Sequence, residues 1–274
     1  MRAHRWGEAR EWAVLESERL VRSRFAAWNR AASDDLRAAL HVPHVSLAGT
    51  RLSICESESD LLGSPDFRAL ASVDGWHSSA LNGLDIEQAS HDKVHCLVRF
   101  GRNAADGARY ADGQGVYVVT NRDGRWAIQL SSSTLRPIGV GGTDDAGAVA
   151  AASNVLRLWV DARDGGDPTA LRRLVHLPFV ELDGARLDVR RAGAAPRRGG
   201  AAARDCRCSE VGPVQVRERS AHKVTLETEI ARYGPGGALV ACEHALAIVT
   251  HLQGRWGIQV YSSFLTSSSP NARR

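Results

Sequence analysis

At 274 residues the chain is too long for one typical small domain and comfortable for two. Hydrophobic residues at 43% and charged residues at 24% are ordinary for a soluble globular protein, so the core needs no staples. The net charge of +4 is carried by arginine, Lys93 and Lys223 being the only lysines, and so mild a balance does not by itself imply nucleic acid. The first twenty residues carry charges every few positions and no apolar h-region, unlike a secretory signal. A helix follows over 21–28, with Leu20, Phe25, Trp28, Leu36 and Leu40 at near-helical spacing. Ser33-Asp34-Asp35 is an N-cap for a second, short helix. HVSLAGTRLSI (44–54) reads as a hairpin turning at Gly49. Longer strands are expected over 83–90, 93–102, 114–121 and 125–133, the last two joined at Asp123-Gly124. Residues 139–149, rich in glycine, read as a flexible linker. A helix over 151–160, a short one opened by Asp167-Pro168 and the hairpin FVELDGARLDV (179–189) begin the second half. The apolar run 146–160 is broken by Asn154 and Arg157 and is too short to span a bilayer.

The order of elements repeats because the sequence does. GVYVVTNRDGRWAIQLSSSTLRP (115–137) and ALAIVTHLQGRWGIQVYSSFLTS (245–267) share ten of 23 positions at an offset of 130. Ser90, Lys93 and Val94 match Ser220, Lys223 and Val224 at the same offset. Upstream the offset is 135, setting LHVPHVSLAGTRL (40–52) against VHLPFVELDGARL (175–187). Three collinear blocks mark a duplication, with copy one over 1–138 and copy two over 150–268.

Helices first, then a short hairpin, then a long antiparallel sheet ending in G-R-W-x-I-Q: each copy resembles the SnoaL-like/NTF2-like superfamily. The resemblance implies an α+β fold, a tandem pair of cone-shaped α+β barrels with helices packed in a curved antiparallel sheet. It also implies a pocket at the open end of the cone and pairing of the copies as an intramolecular pseudo-dimer, the chain being a monomeric pseudo-dimer or a homodimer. In the last strand Trp126, Ile128 and Leu130 are expected on one face, with Ala127, Gln129 and Ser131 on the other. The superfamily hosts isomerases, dehydratases, cyclases and non-catalytic modules, so fold alone assigns no activity.

Candidate chemistry gathers in copy one. His41 and His44 close the helical region and open the first strand, and a histidine there suits general acid–base work. Copy two keeps His176 but has Phe179 opposite His44; His41 also fits a structural core histidine bonded to backbone. Trp76 and His77 have no counterparts in copy two, and are read either as a ring-packing wall with a proton donor or as a surface loop whose tryptophan closes the core. Gln129 and Gln259 recur and serve either to orient a ligand or to satisfy neighbouring strands. Tyr117 and Tyr261 are weaker pocket candidates. Glu181 and Asp183 form a carboxylate pair most simply read as turn chemistry. Cys206 and Cys208 lack a second pair at zinc spacing, the five cysteines read as free thiols in a reducing cytoplasm, and the basic stretch 190–204 reads as a loop without stacking aromatics.

These readings lead to a cytoplasmic small-molecule enzyme of the isomerase/dehydratase/cyclase type. It would work without cofactor or metal, with His77, His44 and His41 as acid–base residues and Trp76, Tyr117 and Gln129 contacting a small apolar or aromatic molecule. Neither nucleic acid nor membrane is an expected partner. The rival is a non-catalytic ligand-binding or assembly module of the same fold. An enzyme needs at least two convergent titratable groups in its cavity, whereas a scaffold fills its cone with side chains.

Overall fold

The computed structural model describes residues 2–62, 66–140, 145–191, 206 and 208–267, which fall into two compact units, Met1–Gly141 and Gly142–Arg274. Most of the basic stretch 190–204 lies outside the described residues. The first unit runs α1 (Arg2–Asn29), α2 (Ser33–Ala38), β1 (Leu40–Ala48), β2 (Arg51–Cys55), a 3-10 turn (Glu58–Leu61), α3 (Phe67–Asp74), β3 (Ser78–Ala89), β4 (Lys93–Asn103), β5 (Arg109–Arg122) and β6 (Arg125–Pro137). The second runs α4 (Ala146–Asp164), α5 (Pro168–Arg173), β7 (Val175–Asp183), β8 (Arg186–Arg190), β9 (Cys208–Val211), β10 (Gln215–Arg219), β11 (Lys223–Tyr233), β12 (Leu239–Leu252) and β13 (Arg255–Ser267). Both are α+β units built on one plan.

The first sheet has the order β2-β1-β6-β5-β4-β3, antiparallel except for the parallel pair β1/β6. The second has β10-β11-β12-β13-β7-β8, with β9 also pairing β11. Copy one's β3 is bulged between Leu81 and Gly83. At the matching place in copy two, Pro213 cannot donate to the ladder, and the edge is split into β9 and β10. One face of each sheet packs on the long helix. Leu20, Val21 and Phe25 of α1 meet Val94, Cys96, Val98 and Phe100 of β4, Tyr117 and Val119 of β5 and Ile128 of β6. Val155, Leu156 and Val160 of α4 meet Leu226, Ile230, Ala247 and Tyr261 in the same way.

The shared G-R-W-x-I-Q has a local reason at each letter. Asp123 and Gly124 have φ of 54° and 82°, Gln253 and Gly254 of 52° and 78°; these are the two left-handed residues of a tight hairpin turn. Arg125 reaches back to the carbonyls of Ala38 and Leu40 (2.7 and 2.9 Å), and Arg255 to those of Arg173 and Val175 (2.9 Å each). Each arginine thereby satisfies carbonyls at a helix end. Gln129 and Gln259 are the extra residues of a β-bulge, since Val119 pairs Ile128 while Val118 pairs Leu130, and Val249 pairs Ile258 while Ile248 pairs Val260.

That bulge corrects the expected facing of β6. Trp126 and Ile128 face the helix together with Ser131, while Leu130 turns to the opposite face with Ala127, because one extra residue reverses the alternation beyond it. Two boundaries and one element also differ from expectation. α1 begins at Arg2 rather than near residue 21, and α4 begins at Ala146, inside the segment read as linker. α3 was not expected; the Asp66 carboxylate caps it by accepting from the Arg68 and Ala69 amides, and Gly75 ends it at φ 65°.

Candidate functional site

β1 carries both histidines on opposite sides of the cis Val42–Pro43 peptide. His41 is buried, and its Nε2–H donates to the carbonyl of Thr120 at 3.0 Å. His176 repeats the bond to Thr250 at 3.1 Å. Burial foremost, then the nearby arginine charges, lowers the pKa of both rings. Gln129 is fully buried; its Oε1 accepts from the Thr120 hydroxyl at 3.1 Å and its amide donates to the Pro43 carbonyl. The Thr250 hydroxyl reaches Gln259 at the same 3.1 Å. His41, Thr120 and Gln129 thus form a backbone-holding network present in both copies.

His44 differs from its counterpart in copy two. It is 3% exposed and faces the helix side of the sheet. Its Nδ1–H donates to the Ile128 carbonyl at 3.1 Å, so the Nε2 lone pair is left to accept from the Ser131 hydroxyl at 3.3 Å. Burial first and the Arg24 charge second push its pKa down to about 3, and the ring is neutral at physiological pH. The Arg24 guanidinium lies 5.8 Å from the Tyr117 ring and 6.0 Å from that of Trp28. Tyr117 in turn stacks with Phe25 at 6.5 Å.

Trp76 and His77 part company. Trp76 is 7% exposed, donates from Nε1 to the Ser79 hydroxyl at 3.0 Å, and packs on Trp28 (6.2 Å) and on Phe67 of α3 (5.5 Å). His77 is exposed, its backbone amide bound to the Asn103 carbonyl. β6, β5 and β4 lie between β1, which carries His44, and β3, which begins one residue after His77. Of the candidates, then, His44 and Tyr117 share the helix-facing interior with Arg24 and Ser131; His77 is not brought to them.

A cleft of about 810 Å³ opens beside this interior, between α2, the 3-10 turn and the β5–β6 hairpin. Leu40, Val42 and Leu61 form its inner wall and also belong to the core that holds Tyr117. Arg37, Arg122, Arg125, Glu58 and Asp123 ring it, and His41 is the one predicted site residue on its lining. Among the described residues no three His, Cys, Asp or Glu side chains gather as a metal site, and no helix is long and apolar enough to cross a membrane.

Copy two holds a group that sequence reasoning missed. Glu243, buried on the helix-facing side of β12, accepts from Tyr261 Oη at 2.7 Å, from Arg163 Nη2 at 3.0 Å and from Arg232. Burial pushes this carboxyl up, but the two arginines and the phenol bring it down to about 2. The Arg163 guanidinium also lies 4.4 Å from the Trp159 ring. Nearby, Glu181 is bridged to Arg190, whose guanidinium stands 5.3 Å from the ring of Phe179. A signal was present: Glu243 shares strand parity with Ala245 and Ala247, which places a carboxylate among core positions.

No family model and no curated protein matches the sequence. Similar solved structures include a protein of unknown function with a cystatin-like fold from Nostoc punctiforme (13% identity, 45% of this chain, 91% of that one, TM-score 0.38). Another is an NTF-2 like protein of unknown function from Shewanella oneidensis (15%, 44% and 98%, 0.37). A third is a hexachlorocyclohexane dehydrochlorinase from Novosphingobium barchaimii (15%, 48% and 96%, 0.36).

Proposed function

We propose that copy one is a small-molecule-binding half and copy two its scaffold. The observation that carries this is the cleft of about 810 Å³ with an inner wall of Leu40, Val42 and Leu61. Clefts of roughly 300–1,000 Å³ with apolar walls and a few polar groups suit small organic ligands. At the positions that match Trp28, Gly113, Arg102 and Ser131 of copy one, copy two has the Arg163–Glu243–Arg232–Tyr261 network. The ligand is a small apolar or aromatic molecule. Titration with 2-naphthol tests this: wild type binds, and Leu62→Arg, which places a charge on the exposed cleft wall, weakens binding at least fivefold without loss of stability. Absence of binding, or equal affinity in the variant, overturns the reading.

A second reading is favoured by one feature, the His44 Nε2 lone pair directed at the Ser131 hydroxyl. It makes copy one an enzyme of the isomerase, dehydratase or cyclase kind that moves a proton at His44. A base whose pKa lies near 3 is weak, because general-base efficiency rises as the pKa approaches the working pH; this ranks the catalytic reading second. Exchange of the α-protons of 2-tetralone into deuterium oxide separates the two. Exchange at least tenfold faster with wild type than with His44→Phe supports catalysis, and equal rates reject His44 as the base.

A further inference from the structure

The β5–β6 hairpin sets two like charges face to face on the rim of the cleft. Arg122 and Arg125 flank the Asp123-Gly124 turn and stand directly opposite each other in the strand register. Cross-strand partners project from the same face of a sheet. Both guanidiniums accordingly reach the start of β1, Arg122 Nη1 to the Val42 carbonyl at 3.0 Å and Arg125 Nη2 to the carbonyls of Ala38 and Leu40. Both line the cleft of about 810 Å³. Like charges placed directly opposite destabilise a strand pair.

The turn itself does not require this pair. Copy two makes the same hairpin, with Gln253 and Gly254 at φ of 52° and 78°, and there Leu252 stands opposite Arg255. Arg125 and Arg255 belong to the shared frame, whereas Arg122 is a charge that only copy one carries. Among the described residues, main-chain carbonyls are the only groups that Arg122 and Arg125 bond. Arg122 Nη2 and Nε, and Arg125 Nη1 and Nε, are left without a protein acceptor. Glu58 and Asp123 lie on the same lining and form an ion pair with neither arginine. The third arginine of the lining, Arg37, is paired with Asp34, whose side chain is 92% exposed. Three arginines against two carboxylates leave the lining with one positive charge in excess. His41, kept neutral first by burial and then by the two arginine charges, adds none.

We infer that this cleft binds organic monocarboxylates, with the anionic head between Arg122 and Arg125 and the apolar body on Leu40, Val42 and Leu61. The inference rests on the binding reading above and names the head group of its ligand. A guanidinium presents a planar fork that matches a carboxylate, and one bound anion offsets the repulsion between the two opposed arginines. A single negative charge also balances the excess charge of the lining.

Calorimetric titration of the full chain with 2-naphthoate and with its neutral counterpart 2-naphthalenemethanol tests the assignment. Wild type is expected to bind the carboxylate at least tenfold more tightly. Arg122→Leu, which installs the residue copy two carries at the matching position, should cut that preference at least fivefold while the affinity for 2-naphthalenemethanol stays within threefold. Arg122→Gln, which keeps an N–H donor for the Val42 carbonyl and removes the charge, should do the same and guards against a fold defect in the leucine variant. A wild-type preference below tenfold overturns the inference and leaves the binding reading standing. A cut of less than fivefold in either folded variant also overturns it. If neither compound binds wild type, the binding reading itself fails.

Discussion

Replacing His44 by phenylalanine, the residue copy two carries at the same place, isolates the electrostatics of one buried ring. The folded-state pKa near 3 lies well below the ordinary 6.5, so the unfolded chain binds a proton that the folded chain refuses. Stability contributed by the neutral ring is full above pH 6.5 and is lost as pH falls toward 3. The drop corresponds to roughly 5 kcal/mol over that whole interval, and to about 3 kcal/mol by pH 4. At neutral pH the substitution removes the bonds to the Ile128 carbonyl and the Ser131 hydroxyl, a cost of about 1–3 kcal/mol partly offset by added apolar burial. The variant is therefore the less stable protein at pH 7 and the more stable one near pH 4, with the two curves crossing in between. Urea unfolding at a series of pH values reads the crossing. A pH-stat at pH 5 reads its origin, since unfolding of the variant takes up about one proton fewer. Equal proton uptake by the two proteins would refute the assignment of a strongly depressed pKa to His44.

Three other outcomes follow from buried groups. Lys93 and Lys223, the only lysines, are both fully buried, so an N-hydroxysuccinimide ester should form no lysine adduct on the native protein and two on the denatured one, read by peptide mass mapping; rapid labelling at native pH contradicts their placement. Glu243→Gln leaves Arg163 and Arg232 without their counter-charge and should destabilise copy two by about 3–5 kcal/mol, as removal of one partner of a buried ion pair does; a urea-unfolding loss under about 1 kcal/mol would mean the network is solvated. Gln129→Leu and Gln259→Leu each strip a buried threonine hydroxyl of its acceptor and should cost a similar 1–3 kcal/mol; if Gln129→Leu alone removes 2-naphthol binding at unchanged stability, Gln129 touches the ligand.

Much of this architecture was legible because its signals are local. The turn at Asp123-Gly124, the caps of the short helices and the hairpins at Gly49 and Gly184 depend on neighbours within a few residues. β6 was misread for a local reason of a different kind: nothing in the alternation of Trp126 to Ser131 announces an extra residue, and the bulge at Gln129 appears only when Val118 and Val119 are paired across the sheet. α3 is only eight residues long, and Phe67, Leu70 and Val73 at helical spacing behind the Asp66 cap are too short a pattern to stand out from the variable segment around it. The site was less legible still. Trp76 and His77 are adjacent in sequence, yet one is in the core and the other exposed; both lie in the link between α3 and β3, where no helix or strand period fixes the facing. Glu243 finds Arg163 eighty residues away and Arg232 eleven residues away, separations that only the sheet order converts into contact.

Several of the residues that both copies kept bind main-chain carbonyls. Arg125 and Arg255 bind carbonyls at a helix end, and His41 and His176 bind a strand carbonyl. A carbonyl is present whatever side chain occupies its residue, so such a bond persists while neighbouring positions change. Glu243 binds the side chains of Arg163, Arg232 and Tyr261, and His44 binds the side chain of Ser131. Three positions of that network differ together, Gly113, Trp28 and Ser131 in one copy against Glu243, Arg163 and Tyr261 in the other, while Arg102 matches Arg232. Repetition thus marks the frame, and coupled difference marks the interior chemistry. On this ground His41 and Gln129 belong to the frame, while His44, Arg24 and Trp28 belong to what copy one alone can do.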